Sequence, residues 1–154
     1  MIKGVIGIDP GANGGITFMP LNELKVFDPH KCHEQISARY MSISLALASF
    51  KNHELVAYIE KVHAMPHDGR SSLFKFGVNY GVWMGILAAK GIKTVEVSPQ
   101  KWMKFYESQI EEKLPKVKKD RKNKLKEIAA RYYDGKVTLW NADCILITMY
   151  GRCM

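Results

Sequence analysis

Asp9, Glu60 and Asp143 are the side chains of this sequence best placed to do chemistry, because each sits against an apolar run. Asp9 follows Ile2, Val5, Ile6 and Ile8, and the chain then turns at once through Pro10, Gly11, Asn13, Gly14 and Gly15. Glu60 follows Leu55, Val56, Ala57, Tyr58 and Ile59. A carboxylate at the tip of a buried strand is costly unless a cation or a hydrogen-bonded turn compensates it. For Asp9 alone, the turn is a sufficient account. Two such strands are more informative, because parallel neighbours in an α/β sheet present their C-terminal ends together, where sites form. Asp9 and Glu60 could then share a divalent cation, and oxygen-only ligands suit magnesium or manganese, not zinc. Asp143, between Ala142 and Cys144, has two accounts. The helix dipole favours an acid early in a helix; alternatively, Asp143 is a third ligand facing the other two.

The elements that must position these acids can be read from periodicity. The first run is short and apolar, as in a strand buried on both faces. The glycines behind Asp9 leave room for a phosphate or another backbone. Residues 14–20 and 24–27 read as second and third strands joined by a turn at Asn22-Glu23, so three antiparallel strands open the chain and Pro29 ends them. From about residue 31 to 50, Ile36, Tyr40, Ile43, Leu47 and Phe50 recur at helical spacing and predict a helix over one sheet face. Residues 55–59 form the next buried strand, and 94–97 another after a stop at Gly91. Ser98-Pro99 opens a short helix with Pro99 in its first turn. Residues 107–114 are ambiguous. Asp120 reads as the N-cap of a helix with an apolar stripe at Leu125, Ile128, Ala129 and Tyr132. Asp134-Gly135 breaks that helix, and Thr138 or Asn141 caps the last one, through Ile145, Leu146 and Met149.

Residues 61–72 are polar, with Pro66 and Asp68-Gly69, and read as a loop beside the acids. Lys61, His63, His67 and Arg70 could all contact phosphate there. The two histidines would make a metal pair only on a helix, which Pro66 opposes. Ser71 or Ser72 could cap the helix that follows, to about residue 90. Phe76, Tyr80, Trp83 and Leu87 line one of its faces. Phe74, Gly77, Gly81 and Gly85, with Val78 and Ala89 at the margin, line another. Two apolar faces require two apolar partners. The glycines cost helix stability and predict a close approach. A central core helix accounts for this pattern, as does a subunit interface through Phe76, Tyr80, Trp83 and Leu87; the small size of the chain favours the interface.

The 154 residues suit one compact domain, and 47% of them are hydrophobic, which excludes a disordered chain. No apolar run is long enough to span a bilayer and nothing resembles a signal peptide, so a cytoplasmic protein, in the host cytoplasm if viral, is expected. Cys32, Cys144 and Cys153 are odd in number and scattered, and read as free thiols. The net charge of +8 is concentrated in residues 113–126, which hold Lys116, Lys118, Lys119, Arg121, Lys122 and Lys124. A lysine run is usually a solvated face. Beside a metal site it points to a polyanion, nucleic acid before membrane.

Four stretches carry a resemblance: GIDPGANGG (Gly7 to Gly15), YIEKVHAMPHDGRSSLFKFG (Tyr58 to Gly77), VSPQKW (Val97 to Trp102) and NADCILITMYG (Asn141 to Gly151). In this order they resemble the RuvC-type Holliday junction resolvases of the ribonuclease H-like superfamily, bacteriophage-type members in particular. The second stretch is the most specific, and together they span nearly the whole chain. The resemblance implies a single nuclease domain over residues 1–154, of the α/β class with a ribonuclease H-like fold: a five-stranded mixed sheet in order 3-2-1-4-5 flanked by helices. It implies a homodimer and magnesium-dependent cleavage of four-way and other branched DNA, in recombination and repair, with manganese able to substitute. It places Asp9, Glu60 and Asp143 at acidic metal-ligand positions. It places Lys101 or Lys104 at a basic position serving phosphate or transition-state binding, and the 77–87 helix in or near the dimer contact. Hydrolysis would use two divalent ions bridged by Asp9, one activating water and the other stabilising the leaving oxygen. Lys61, His63, His67, Arg70, Lys104, Lys116, Lys118, Lys119, Arg121 and Lys122 would hold the DNA backbone without reading base sequence.

The sequence departs from the family at Trp140, where a fourth acid or a histidine is usual. Asn141 has a carbonyl oxygen, but two-residue spacing points it elsewhere on a helix. Three other readings stay open. One is a junction-binding protein with weak or no nuclease activity, raised by Trp140. Another is an actin-like ATPase or sugar kinase, whose phosphate-binding domains open on similar Asp-x-Gly turns. This chain has no P-loop and is short for such a duplicated fold, so no nucleotide cofactor is expected. The last is a less selective nuclease acting on flaps.

Overall fold

The computed structural model describes residues 1–32, 35–47, 51–61 and 69–154. His63, His67 and Phe50 lie outside them. The described elements are β1 (Gly4–Ile8), β2 (Gly15–Pro20), β3 (His30–Lys31), α1 (Ile36–Leu47), β4 (Leu55–Glu60), α2 (Arg70–Ala89), β5 (Lys93–Val97), α3 (Pro99–Ile110), α4 (Lys118–Ala129) and α5 (Ala142–Cys153), with a 3₁₀ turn at Asn52–Glu54. The five strands form one sheet in the order β3-β2-β1-β4-β5. β1 and β2 pair antiparallel, as do β2 and β3, while β1–β4 and β4–β5 are parallel. This is the mixed 3-2-1-4-5 sheet that the sequence resemblance implies.

The two-residue period of the strands divides the core. Val5, Met19, Val56, Tyr58 and Val97 face α3, α4 and α5. Ile6, Ile8, Ile16, Phe18, Leu55, Ala57 and Ile59 face the other side, with Ile43 of α1 and Trp83, Ile86 and Leu87 of α2. β1 pairs with β4 up to Ile8 opposite Ile59, so one step further Asp9 comes level with Glu60. Continuing the alternation puts both acids on the α5 side. α5 lies against β1 at Gly7, where a Cβ would come within 2.1 Å of Thr148 Oγ1 and 2.7 Å of the Cys144 carbonyl. Glycine is what lets the start of α5, and with it Asp143, come down onto the end of β1.

Several sequence expectations are corrected. The third strand is not residues 24–27 but His30–Lys31, beyond Pro29. The turn after Pro20 forms, yet Val26 donates its N–H to the Tyr132 carbonyl and only Phe27 reaches back to Phe18, so no ladder develops. Along α1, Ile43 of the expected stripe is buried, but Ile36 and Tyr40 are exposed and Arg39 is buried instead, a face partly rotated from the expected one; the Leu47 side chain lies outside the described residues. Arg39 accounts for the rotation: its guanidinium donates to the Asn79 side chain and lies 5.8 Å from the Trp83 ring centre. α2 starts at Arg70 with Gly69 at its N-cap, one turn too early for Ser71 or Ser72 to cap it. Likewise Val117, not Asp120, precedes α4, and Asp120 lies in its first turn.

The faces of α2 also change roles. Trp83 and Leu87, expected at a subunit contact, are fully buried against the sheet, and Phe76 and Tyr80 are half-buried. A Cβ added at Gly77, Gly81 or Gly85 would meet nothing within 4 Å among the described residues. The glycines therefore mark the open face, together with the exposed Phe74 and Val78.

Candidate metal centre at the strand ends

The turn that presents Asp9 is closed by its own backbone. The Asp9 N–H donates to the Gly15 carbonyl and Gly14 N–H to Gly11, both at 2.9 Å. Gly11 N–H donates to Asp9 Oδ1 at 3.1 Å, which fixes the carboxylate. A Cβ on Gly14 would lie 2.2 Å from the Asp9 carbonyl oxygen, so that position must be glycine. From outside the turn, the Cys32 thiol donates to the Asp9 carbonyl at 3.2 Å. Asn79 of α2 donates its amide to the Pro10 carbonyl at 3.1 Å, and Arg39 holds Asn79 in turn. The turn is thus braced from both α1 and α2. Burial, followed by the nearby Asp9 charge, pushes the Cys32 thiol up to about 12, so it remains a neutral donor. Cys32, Cys144 and Cys153 are all free thiols.

Glu60 is held by Trp102, a buried α3 side chain whose Nε1 donates to Glu60 Oε2 at 2.8 Å. Ser98 positions this helix by accepting the Lys101 N–H at 3.3 Å. Asp143, in the first turn of α5, is 6% exposed. Its Oδ2 accepts from the Lys122 ammonium of α4, and its Oδ1 is buried with no hydrogen-bond partner among the described residues.

The electrostatics show that these groups form one cluster. Burial first, then the charge of Asp143, raises Asp9 from 3.8 to about 6 against the pull of Gly11 N–H and Lys122. Burial and then Asp9 raise Glu60 from 4.5 to about 7, opposed by Trp102. For Lys122, burial disfavours the charged form, but Asp143, Asp9 and Glu60 together outweigh it and the net direction is upward. One ammonium is therefore felt by all three carboxylates. Among the described residues no three acidic, imidazole or thiol groups form a closed ligand set. The donors nevertheless fit a divalent ion: three oxygen-bearing side chains, two held costly as anions, and one buried oxygen with no partner.

Lys61 directly follows Glu60 and is exposed, as is Arg70 at the start of α2. Lys101 and Lys104 are exposed on α3, and Lys104 borders a shallow groove with Glu107, Glu111 and Glu112. Lys116, Lys118 and Lys119 are exposed, whereas Arg121 donates back to the Pro115 and Lys116 carbonyls. Lys122 departs from its neighbours, because it turns inward to the acids instead of outward to solvent. Its spacing held that information: Lys122 stands three residues before Leu125 and seven before Ala129, on the apolar stripe of α4. Trp102 was legible only as an apolar residue, although a buried indole N–H must find an acceptor. Asn141 is engaged locally, accepting the Thr138 N–H and donating to the Lys136 carbonyl. Trp140 lies beside Lys31, whose ammonium is 5.6 Å from the ring centre.

No protein-family model and no curated protein sequence matches this chain. Solved structures do. RuvC of Thermus thermophilus superposes with a TM-score of 0.62 at 14% identity, over 96% of this chain and 92% of that one. T. thermophilus RuvC in complex with a Holliday junction substrate superposes with a TM-score of 0.61 at 13% identity, over 96% and 90%. The fold is that of RuvC.

Proposed function

We propose that residues 1–154 form one nuclease domain that cuts four-way and other branched DNA by divalent-metal-dependent phosphodiester hydrolysis, acting as a homodimer. The observation that carries this reading is the placement of Asp9 and Glu60 at the C-terminal ends of β1 and β4, near enough to Asp143 of α5 and its Lys122 partner for the charges to act on one another, in a RuvC fold. Asp9, Glu60 and Asp143 would hold magnesium or manganese, which supplies activation of water and charge neutralisation at the leaving oxygen. The chain does the rest. Gly11 N–H and the turn orient Asp9, Trp102 orients Glu60, and α5 brings Asp143 down at Gly7. The exposed Lys61, Arg70, Lys101, Lys116, Lys118 and Lys119 provide the cations for the DNA backbone.

A four-way junction has two symmetric strands to cut, and one acidic cluster cuts one of them. Paired cuts therefore need two subunits, most simply related by a two-fold axis. The exposed stripe of α2, Phe74, Val78, Gly81 and Gly85, is the surface we assign to that contact. Cleavage of a labelled four-way junction beside flap and duplex controls tests the reading. Magnesium-dependent paired nicks in the junction support it, and equal cutting of plain duplex contradicts it. Trp140 and the ammonium on Asp143 favour a second reading, a junction binder with little nuclease activity; binding without cleavage in either magnesium or manganese would select it.

A further inference from the structure

We propose that Lys122 is the resident counter-cation of the carboxylate cluster, holding Asp143 in the metal-free protein and competing with the divalent ion for it. The proposal rests on the metal-dependent reading of the same acids. Its basis is geometric. Lys122 Nζ pairs with Asp143 Oδ2, with 37% of the lysine side chain and 8% of the aspartate side chain exposed. The second oxygen, Oδ1, is buried and has no hydrogen-bond partner among the described residues. The ammonium therefore satisfies half of Asp143 and leaves the other half for an incoming ligand. Lys122 reaches Asp143 from the α4 face that carries the buried Leu125 and Ala129.

The same arrangement makes the lysine a competitor. A dication bound through Asp143 would stand a few ångströms from the ammonium in a poorly solvated site, where like charges repel strongly. One of the two must withdraw. The lysine can, because its four-carbon stem is flexible and 37% of its side chain is exposed. Metal loading thus carries the cost of breaking a charge-assisted hydrogen bond. In return, the protein keeps a buried carboxylate compensated when no metal is present.

The test is Mn²⁺ binding to the full chain without DNA, by titration calorimetry, for wild type, Lys122→Met, Lys122→Gln and Lys126→Met. The Met and Gln variants at position 122 are expected to bind Mn²⁺ about tenfold to a hundredfold more tightly. Lys126→Met, one turn further along the helix, should stay within about twofold, since charges this far from the site are screened. Unchanged or weaker Mn²⁺ binding in both position-122 variants overturns the proposal. Lys122→Met leaves Asp143 uncompensated, so Mn²⁺-dependent shifts in melting temperature provide a second readout, and Lys122→Gln keeps a donor in place of the charge. Asp143→Asn separates the two levels of the argument. If it binds Mn²⁺ like wild type, the acids are not the metal site and both readings fail. If it loses Mn²⁺ while the Lys122 variants match wild type, only the role of the lysine falls.

Discussion

The raised carboxylates make metal-free stability depend on pH in a direction opposite to that of ordinary salt-bridged acids. Asp9 titrates at about 6 in the folded chain instead of 3.8, and Glu60 at about 7 instead of 4.5. Between about pH 4 and 7 the folded state then binds more protons than the unfolded chain, so stability falls as pH rises through that window and levels off above it. The Asp9 shift alone is worth on the order of 3 kcal/mol, as is that of Glu60. The two charges act on each other, so the total is less than their sum. Asp9→Asn keeps an oxygen to accept Gly11 N–H and removes the charge. In EDTA it should match wild type near pH 4 and exceed it at pH 8 by up to about 3 kcal/mol, roughly 6–12 °C in melting temperature for a chain this size. Thermal unfolding across pH 4–8 measures this. Saturating Mg²⁺ should narrow the difference at pH 8 by stabilising only the wild type. A wild-type to variant difference that is the same at pH 4 and pH 8 would refute the reasoning.

Three further outcomes are expected. Trp102→Phe removes the indole donor from Glu60; it should cost roughly 1–3 kcal/mol in stability and raise the Glu60 pKa further, moving the acid limb of any cleavage profile to higher pH. Neutralising Lys116, Lys118 and Lys119 together should lower the log-log salt slope of junction binding by up to about three units, roughly one per phosphate contact, while Arg121→Gln, already bonded to local carbonyls, should change it little. Val78→Lys on the open face of α2 should give folded monomers by sedimentation, whereas Trp83→Lys, buried beneath the same helix, should unfold the chain at a cost above about 3 kcal/mol; a dimeric Val78→Lys protein would remove α2 from the interface.

The strand-end places of Asp9 and Glu60 were legible because burial enforces the apolar runs before them, whereas the strand order came from the family resemblance. Two apolar runs of strand length, each ending on an acid, need a parallel pair, and Asp9 and Glu60 do come level. For Asp143 the sequence offered an acid early in a helix with two accounts, and only the resemblance set it beside the other two. What escaped the sequence was decided by tertiary partners. Residues 24–27 have strand composition, but the Tyr132 carbonyl takes the Val26 N–H that a ladder would need. In α1, Ile43 is buried as its spacing predicts, but a buried arginine near Trp83 takes the inner face from Ile36 and Tyr40. On α2, the glycines suggested a crowded side, yet the large residues Trp83 and Leu87 fill the core and the glycines face open space. Lys122 was indistinguishable by composition from its neighbours in the basic run, and only its place on the apolar stripe sets it apart.

Asp9, Glu60 and Asp143 are proposed to form one metal-dependent cutting centre. Its most direct measurement is Mg²⁺-dependent cleavage of a labelled four-way junction by wild type and by Asp143→Asn, with junction binding recorded for both. Paired nicks by wild type, no cleavage by Asp143→Asn, and comparable binding by the two proteins are expected. Cleavage by Asp143→Asn at the wild-type rate would contradict that assignment.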